Sequence, residues 1–226
     1  RGHFINKPFE GANLSDPSLV ERIHAEYVSA GADVVESNTF AANRVKLRRV
    51  GLEAEHDAIN RTGVEIARRA AGERACVVGA IGPTGEGWRA LTPAQKHAMG
   101  PVFIDQARVL VEAGVDALVF ETFSHFDELE VALNAVRGDP ALRNVPVLAF
   151  GAFTGNLATA DGKSPRAFAI EARALGATMV GANCAEGPME LYTIAEQMRA
   201  AVSDLPVAVL PNAGYPKPVE GRMIYM

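Results

Sequence analysis

A cysteine closes the stretch Thr178–Cys184, "TMVGANC", and it is one of two cysteines in the chain. The residues before Cys184 are mostly apolar or small, as in a buried strand, and the Gly187-Pro188 pair after it is typical of a loop. A thiol at the end of a strand can meet a ligand, and its thiolate form is both a nucleophile and a metal ligand. Cys184 therefore predicts thiol-centred chemistry at this strand end.

The other predicted strands also end in polar side chains. Together these ends contain one carboxylate, that of Glu121, and no lysine, which argues against a Schiff-base aldolase. The loop after Pro211 has too few glycines for a phosphate cradle. A small polar or zwitterionic ligand suits this set. The strand ends are Asn38-Thr39-Phe40, Gly82-Pro83-Thr84-Gly85, Glu121-Thr122, Phe153-Thr154, Asn183-Cys184 and Asn212-Ala213-Gly214.

A weak internal repeat places these ends on strands. "AGADVVESNTF" (30–40), "AGVDALVFETF" (113–123) and "LGATMVGANC" (175–184) each begin near a glycine that follows a segment of helical period. Each then runs through a short apolar strand to a polar pair, and β-branched runs between the copies supply further strands. We predict six strands, at about residues 33–38, 76–81, 116–121, 145–151, 178–183 and 206–211.

The helices between the strands carry end signals. Asp16-Pro17 and Thr92-Pro93 each supply an N-cap residue followed by proline at the first helical position. Gly100-Pro101 predicts a kink or a split in the second of these helices, and Ser124 with Asp127 resembles a capping box. The apolar face of the first helix is predicted to comprise Val20, Ile23, Tyr27 and Val28.

Continuously apolar strands that alternate with helices indicate a parallel sheet covered by helices. A doubly wound open sheet usually has a glycine-rich dinucleotide fingerprint after an early strand, and the sequence has none. The repeat favours an α/β fold of the (β/α)8 barrel type, whose first and last strands are missing from our count. We expect residues 1–226 to be a single domain of a longer chain, cut at both ends.

Composition narrows the function classes. A net charge of −5 leaves no basic surface for nucleic acid or an anionic membrane. No apolar run reaches the ~18 residues of a membrane span, and the amino terminus lacks the apolar core of a secretory signal. Two cysteines cannot build a disulfide framework, so a cytoplasmic protein is expected.

Five motifs carry a family resemblance. In order, "GADVVESNTF", "GAIGPTG", "DALVFETF", "VGANCAEGP" and "PNAGYP" resemble the motifs of the homocysteine S-methyltransferase domain. That domain occurs in cobalamin-dependent methionine synthase, in betaine-homocysteine methyltransferase and in bacterial proteins fused to a methylenetetrahydrofolate reductase. The opening "RGHFINKPFEGANLSDP" is most similar to the fused group, which implies a possible reductase partner domain.

The resemblance implies a zinc-dependent barrel that methylates homocysteine to methionine, with a methyl donor that the motifs do not identify. Three cysteines hold Zn²⁺ in the family; Cys184 matches the first, and the pair that supplies the other two is absent from this chain. Glu121 would bind the substrate amino group. The residues that would shape the substrate and zinc loops are Asn38, Thr39, Thr122, Asn183 and Asn212.

Other interpretations of these residues stay open. Glu121 could instead accept a hydrogen bond from a neighbouring strand-end amide, and the asparagines and threonines could satisfy loop backbone groups. Cys76 lies at the opposite end of its strand, about 20 Å from the polar strand ends at ~3.3 Å per residue. We expect it in the core. His125 is expected on the surface of a first helical turn, and Trp88 either covers the site or forms an exposed staple.

Two rival functions follow. One is a metal-independent barrel lyase or isomerase that uses Glu121 as a general base, and the other is a non-catalytic module that binds an amino acid or a partner domain. With one zinc thiolate of three, we expect the 226-residue chain alone to bind zinc poorly and to be inactive.

Overall fold

Six parallel strands in the order β1-β2-β3-β4-β5-β6 form a curled half-barrel. The computed structural model describes residues 8–184, 187–212, 216–219 and 222–225. The strands are β1 (Val34–Glu36), β2 (Cys76–Ile81), β3 (Ala117–Phe123), β4 (Val147–Gly151), β5 (Met179–Asn183) and β6 (Val207–Leu210). All six predicted strands are confirmed, although a full eight-stranded barrel is not.

Within the described part of the chain, two helices precede β1 and the other helices connect the strands. They are α1 (Ala12–Ser15), α2 (Pro17–Ser29), α3 (Arg44–Arg49), α4 (His56–Ala71), α5 (Pro93–His97), α6 (Gly100–Glu112), α7 (Phe126–Gly138), α8 (Pro165–Ala174) and α9 (Pro188–Ala201). A short antiparallel hairpin of β7 (Pro216–Val219) and β8 (Arg222–Tyr225), which the sequence did not predict, ends the described chain. Among the described residues, no helix is both long and apolar enough to span a membrane.

The predicted helix starts are confirmed at two prolines. The Asp16 carboxylate accepts a hydrogen bond from the Leu19 amide at the start of α2, and Thr92 forms a capping box with Gln95 at the start of α5. The predicted break is also present, because α5 and α6 are separate helices. The Ser124–Asp127 capping box is wrong: the carboxylate of Asp161, from the loop after β4, accepts from the first two amides of α7 instead.

Apolar side chains pack on both faces of the sheet. The larger core lies between the sheet and helices α6 to α9 and contains Leu118 and Phe120 of β3. The alternate residues of β3, Ala117 and Val119, pack on the inner face with Phe150 of β4. Because side chains alternate along a strand, Glu121 follows Val119 onto the inner face.

Two predictions about burial are wrong. Cys76 is exposed rather than part of the core, because it is the first residue of β2 and lies at the exposed start of that strand. On α2, Val20 and Val28 are buried as predicted, but Ile23 and Tyr27 are exposed. The buried face of α2 contains His24 in their place.

Candidate functional site

Three of the predicted site residues meet through the side chain of Asn183, the last residue of β5. Its amide nitrogen donates to Glu121 Oε2 and to Thr122 Oγ1, each over 2.8 Å. Its carbonyl oxygen accepts from the Thr122 backbone amide, also at 2.8 Å. The ends of β3 and β5 are therefore tied together by one buried asparagine, although they are not adjacent strands.

The thiol of Cys184 lies beside this network. Its sulfur is 3.7 Å from Thr122 Oγ1 and 3.6 Å from Asn183 Nδ2, and the residue is partly exposed. Its backbone amide donates to the Leu210 carbonyl of β6. Cys184 is therefore held at the strand end, with its sulfur next to polar groups.

Two of these residues have an unusual backbone. Thr122 has a φ of 62° and Cys184 a φ of 58°. This left-handed region is rare for residues other than glycine and is disfavoured most for a β-branched residue such as threonine. Such strain persists only where surrounding contacts impose it, and it concentrates at functional sites. The strain here falls on the two residues whose hydroxyl and thiol are in contact.

One carboxylate of the site, that of Glu36, was not predicted from the sequence. It is the last residue of β1, and its carboxyl group lies close enough to that of Glu121 for each to affect the pKa of the other. Burial is the main reason that the pKa of Glu121 rises to about 8, and the neighbouring Glu36 adds to the rise. Burial also raises the pKa of Glu36. The predicted strand ended at residue 38, two residues beyond the actual end of β1 at Glu36. For that reason Asn38, rather than Glu36, was predicted to be the residue at the strand end.

A lysine also reaches the site, although none lies at a strand end. Lys46, on α3, places its ammonium nitrogen 4.4 Å from the centre of the Phe40 ring, a cation–π contact. Burial lowers the pKa of Lys46, while the nearby carboxylates of Glu10, Glu128 and Glu121 oppose that effect. Its positive charge in turn favours the ionised form of Glu121.

The remaining predicted residues lie around this centre. The buried Thr39 donates its hydroxyl to the Ala80 carbonyl at 2.8 Å, and Asn38 donates to the Phe9 carbonyl and to Asn13, each at 2.9 Å. Both therefore hold the loop after β1. Asn212 is partly buried beyond the end of β6. The Ala213-Gly214 part of that strand end lies outside the described residues.

Trp88 and His125 each contact a polar side chain of a neighbouring residue. Trp88 is buried, and its indole nitrogen donates to Asp127 at 2.6 Å, so the exposed staple is wrong, and the covering role stays a prediction. His125 is half-buried immediately before α7 and contacts the Ser124 hydroxyl at 3.2 Å.

Glu36 and Glu121 line a cavity of about 1010 Å³ at the inner face of the sheet. Ser37, Asn38 and apolar residues of α1 and α2 also line it. A volume of this size accommodates a small amino acid together with a larger second ligand.

The described residues do not complete a zinc site. A structural or catalytic zinc ion needs three or four nitrogen, sulfur or carboxylate ligands. No group of three histidine, cysteine or acidic side chains with suitable geometry exists within residues 8–184 and the described segments after them. Cys184 is the one thiol of the site and could contribute a single ligand.

Comparison with known proteins supplies the family. A model described as homocysteine S-methyltransferase matches residues 4–225. Methionine synthase of Mycobacterium tuberculosis is 32% identical over 216 residues, which are 90% of this chain and 18% of that protein. Methionine synthase of Mycobacterium leprae is 31% identical over the same share of this chain, 90%, and 17% of its own length. The chain thus spans less than a fifth of the length of these curated relatives.

A solved structure has the same fold. The crystal structure of the metallated form of the homocysteine methyltransferase MmuM from Escherichia coli matches with a TM-score of 0.80 at 23% identity, over 95% of this chain and 79% of that one. At this identity the likeness concerns the fold alone. Since the family model covers nearly the whole sequence, the chain belongs to the homocysteine S-methyltransferase family.

Proposed function

We propose that the protein transfers a methyl group to the sulfur of homocysteine and so forms methionine. The observation that carries this proposal is the network of Glu121, Asn183, Thr122 and Cys184, which brings a carboxylate and a thiol to one strand-end site. The carboxylate suits the amino end of a homocysteine molecule. The Cys184 thiol would then face the sulfur end of that molecule.

Glu121 would bind the α-ammonium group of homocysteine. The hydrogen bond from Asn183, which was the alternative interpretation of Glu121, is present, but it occupies only Oε2. Each carboxylate oxygen has two acceptor sites. Glu121 therefore keeps acceptor capacity for a ligand while Asn183 fixes its orientation.

In the reaction, the sulfur of homocysteine attacks the methyl carbon of the donor. A sulfur–carbon bond forms, the bond from the methyl group to the donor breaks, and the thiol proton leaves the substrate. The thiolate is the reactive form, and a free thiol has a pKa of about 8.5. Zinc would favour that form, and Cys184 would supply one of its ligands.

A pair of matched variants tests the proposal. Cys184→Ser should abolish methionine formation from homocysteine, whereas Cys76→Ser, an exposed thiol at the opposite end of its strand, should leave it unchanged. The assay uses the protein in its complete reading frame and follows methionine by mass spectrometry. It is repeated with methylfolate, methylcobalamin, S-methylmethionine, S-adenosylmethionine and betaine as donors. Methionine formation by Cys184→Ser at the wild-type rate would refute the role of Cys184.

One observation favours a second candidate, a lyase or isomerase that needs no metal. A general base works best when its pKa is near the working pH, and the pKa of Glu121 is raised to about 8. In that case Glu121→Gln would abolish activity while Cys184→Ser would keep it. Homocysteine binding without turnover for every donor would instead favour a non-catalytic amino-acid-binding module.

A further inference from the structure

Strand β3 is irregular at the point where it reaches the site. In its pairing with β4, Phe120 is opposite Ala149 and Phe123 is opposite Gly151. Three steps along β3 therefore correspond to two steps along β4, so β3 carries one extra residue between these pairs. Such a β-bulge re-aims side chains, and bulges are over-represented next to active sites. The extra residue falls within Glu121-Thr122.

The bulge sets the direction of the side chains around it. The two phenylalanines that flank it, Phe120 and Phe123, both pack against Phe103 in the larger core, with ring centres 6.4 and 6.1 Å from that of Phe103. In a regular strand, residues three positions apart point to opposite faces of the sheet. Because the bulge absorbs one residue, both phenylalanines face the core. The two residues between them turn to the site, where both side chains contact one nitrogen atom of Asn183.

The hydrogen bonds of Asn183 determine which group donates to the Cys184 sulfur. Its Oδ1 atom accepts from the Thr122 backbone amide, which fixes the orientation of the side-chain amide. Its Nδ2 atom carries two hydrogens, and the two 2.8 Å contacts with Glu121 Oε2 and Thr122 Oγ1 use both. The longer contact of Nδ2 with the sulfur, 3.6 Å, has no hydrogen left to it. The Thr122 hydroxyl oxygen is thus an acceptor, and its own hydrogen is directed to the Cys184 sulfur at 3.7 Å.

We propose that Thr122 is a positioning residue for the sulfur of Cys184. This inference rests on the proposed function and deepens it: the bulge aims the Thr122 hydroxyl at the sulfur, and the hydrogen bond holds the sulfur toward the site. Thr122 has a left-handed backbone, with a φ of 62°. Glycine would adopt that φ without strain but has no hydroxyl. The hydroxyl is therefore what a threonine contributes at this position.

The reactivity of the sulfur tests this contact without homocysteine. Alkylation by iodoacetamide is followed at Cys184 and at the exposed Cys76 by peptide mass spectrometry, with EDTA present. Rates are compared at an alkaline pH where a further rise no longer changes them, so that both thiols are fully ionised. A thiolate that accepts a hydrogen bond is a weaker nucleophile, because the bond occupies an electron pair of the sulfur. Loss of the Thr122 hydroxyl should therefore speed the alkylation of Cys184 about five-fold, the effect of one hydrogen bond, and leave that of Cys76 unchanged.

Four variants separate the hydroxyl from the shape and the backbone of Thr122. Thr122→Val removes the hydroxyl and keeps the branched shape, whereas Thr122→Ser keeps the hydroxyl and should be alkylated at the wild-type rate. Thr122→Gly lacks the hydroxyl but fits the left-handed backbone, so the comparison stands even if Thr122→Val does not fold. Thr193→Val is the matched control, because the Thr193 hydroxyl bonds within α9 to the Met189 carbonyl. It should behave as the wild type.

The same variants enter the methylation assay in the complete reading frame. Thr122→Val should lower kcat about five-fold or more, because the Cys184 sulfur is no longer held toward the site. The KM for homocysteine should stay within about two-fold of the wild-type value, since Asn183 still holds Glu121. Thr122→Ser should restore kcat.

The outcomes separate this inference from the proposed function. Equal alkylation of Cys184 in the wild type, Thr122→Val and Thr122→Gly overturns the inference and leaves homocysteine methylation standing. Faster alkylation with an unchanged kcat overturns the part of Thr122 in the reaction. If the wild type forms methionine from no donor, the proposed function fails, while the alkylation rates still decide whether Thr122 holds the sulfur. Faster alkylation confined to Cys184, and reversed in Thr122→Ser, supports the inference.

Discussion

Replacing Glu121 by glutamine should make the protein more stable at alkaline pH. The carboxyl group of Glu121 ordinarily has a pKa of 4.5, and in the folded protein its pKa rises to about 8, chiefly through burial. Between these values the native protein keeps a proton that the unfolded chain has lost. The free energy of unfolding of the wild type therefore falls as the pH rises, the opposite of the usual contribution of a paired carboxylate.

The size of the effect follows from this window. A proton-binding difference of one group changes the free energy of unfolding by about 1.4 kcal/mol per pH unit, which gives roughly 5 kcal/mol between pH 4.5 and 8 as an upper limit. Glu121 is half-buried at a cavity that admits water. We therefore expect about 2–3 kcal/mol, because solvent screens part of the cost of ionisation. Glutamine has no proton to lose, so Glu121→Gln lacks this decrease.

The assay is urea unfolding at several pH values from 5 to 9, followed by tryptophan fluorescence. Trp88 is the single tryptophan of the chain and is buried, so its emission reports unfolding. Glu121→Gln should match the wild type near pH 5 and exceed its free energy of unfolding by about 2–3 kcal/mol at pH 8.5. Glu26→Gln, whose side chain is 72% exposed, is the control and should run parallel to the wild type. Parallel curves for Glu121→Gln as well would refute the burial of this carboxyl.

Four further substitutions test the fold and the site. Asn183→Ala should lower the free energy of unfolding by about 1–3 kcal/mol in urea and reduce homocysteine affinity, since buried partners lose their hydrogen bonds. Asp161→Ala should cost about 1 kcal/mol, measured in the same way, because it removes the cap of α7. Gly181→Ala should prevent folding or lower the thermal midpoint sharply, because its Cβ would lie within van der Waals radii of the Ala208 carbonyl oxygen and the Phe150 ring. Gly138→Ala, with open space at the end of α7, should instead raise the midpoint slightly.

The order of strands and helices could be predicted because its signals are local. Prolines at 17, 93 and 101 mark helix starts or a break, and all three are confirmed. The polar residues at the ends of β3 and β5 were also predicted to meet, since the carboxyl ends of parallel strands share one edge. They do contact each other through Asn183, while their roles in the site stay predictions.

Features that depend on distant neighbours could not be predicted in this way. The cap of α7 comes from Asp161, far along the chain, rather than from the local Ser124–Asp127 pattern. Cys76 looked like a core residue because its strand is apolar, but its position as the first strand residue leaves it exposed. In each case a local pattern was correct about the element and wrong about what surrounds one side chain.

The sequence by itself determined the alternation of strands and helices, the family motifs and the placement of Glu121, Asn183 and Cys184 at strand ends. Hydrophobic period and turn residues act over a few positions, so a single chain displays them directly. Only the tertiary structure decided that Glu36 meets Glu121 across β2, and with it the raised pKa of Glu121. The charge state of a side chain depends on its burial and its neighbours, and strand register and packing set both.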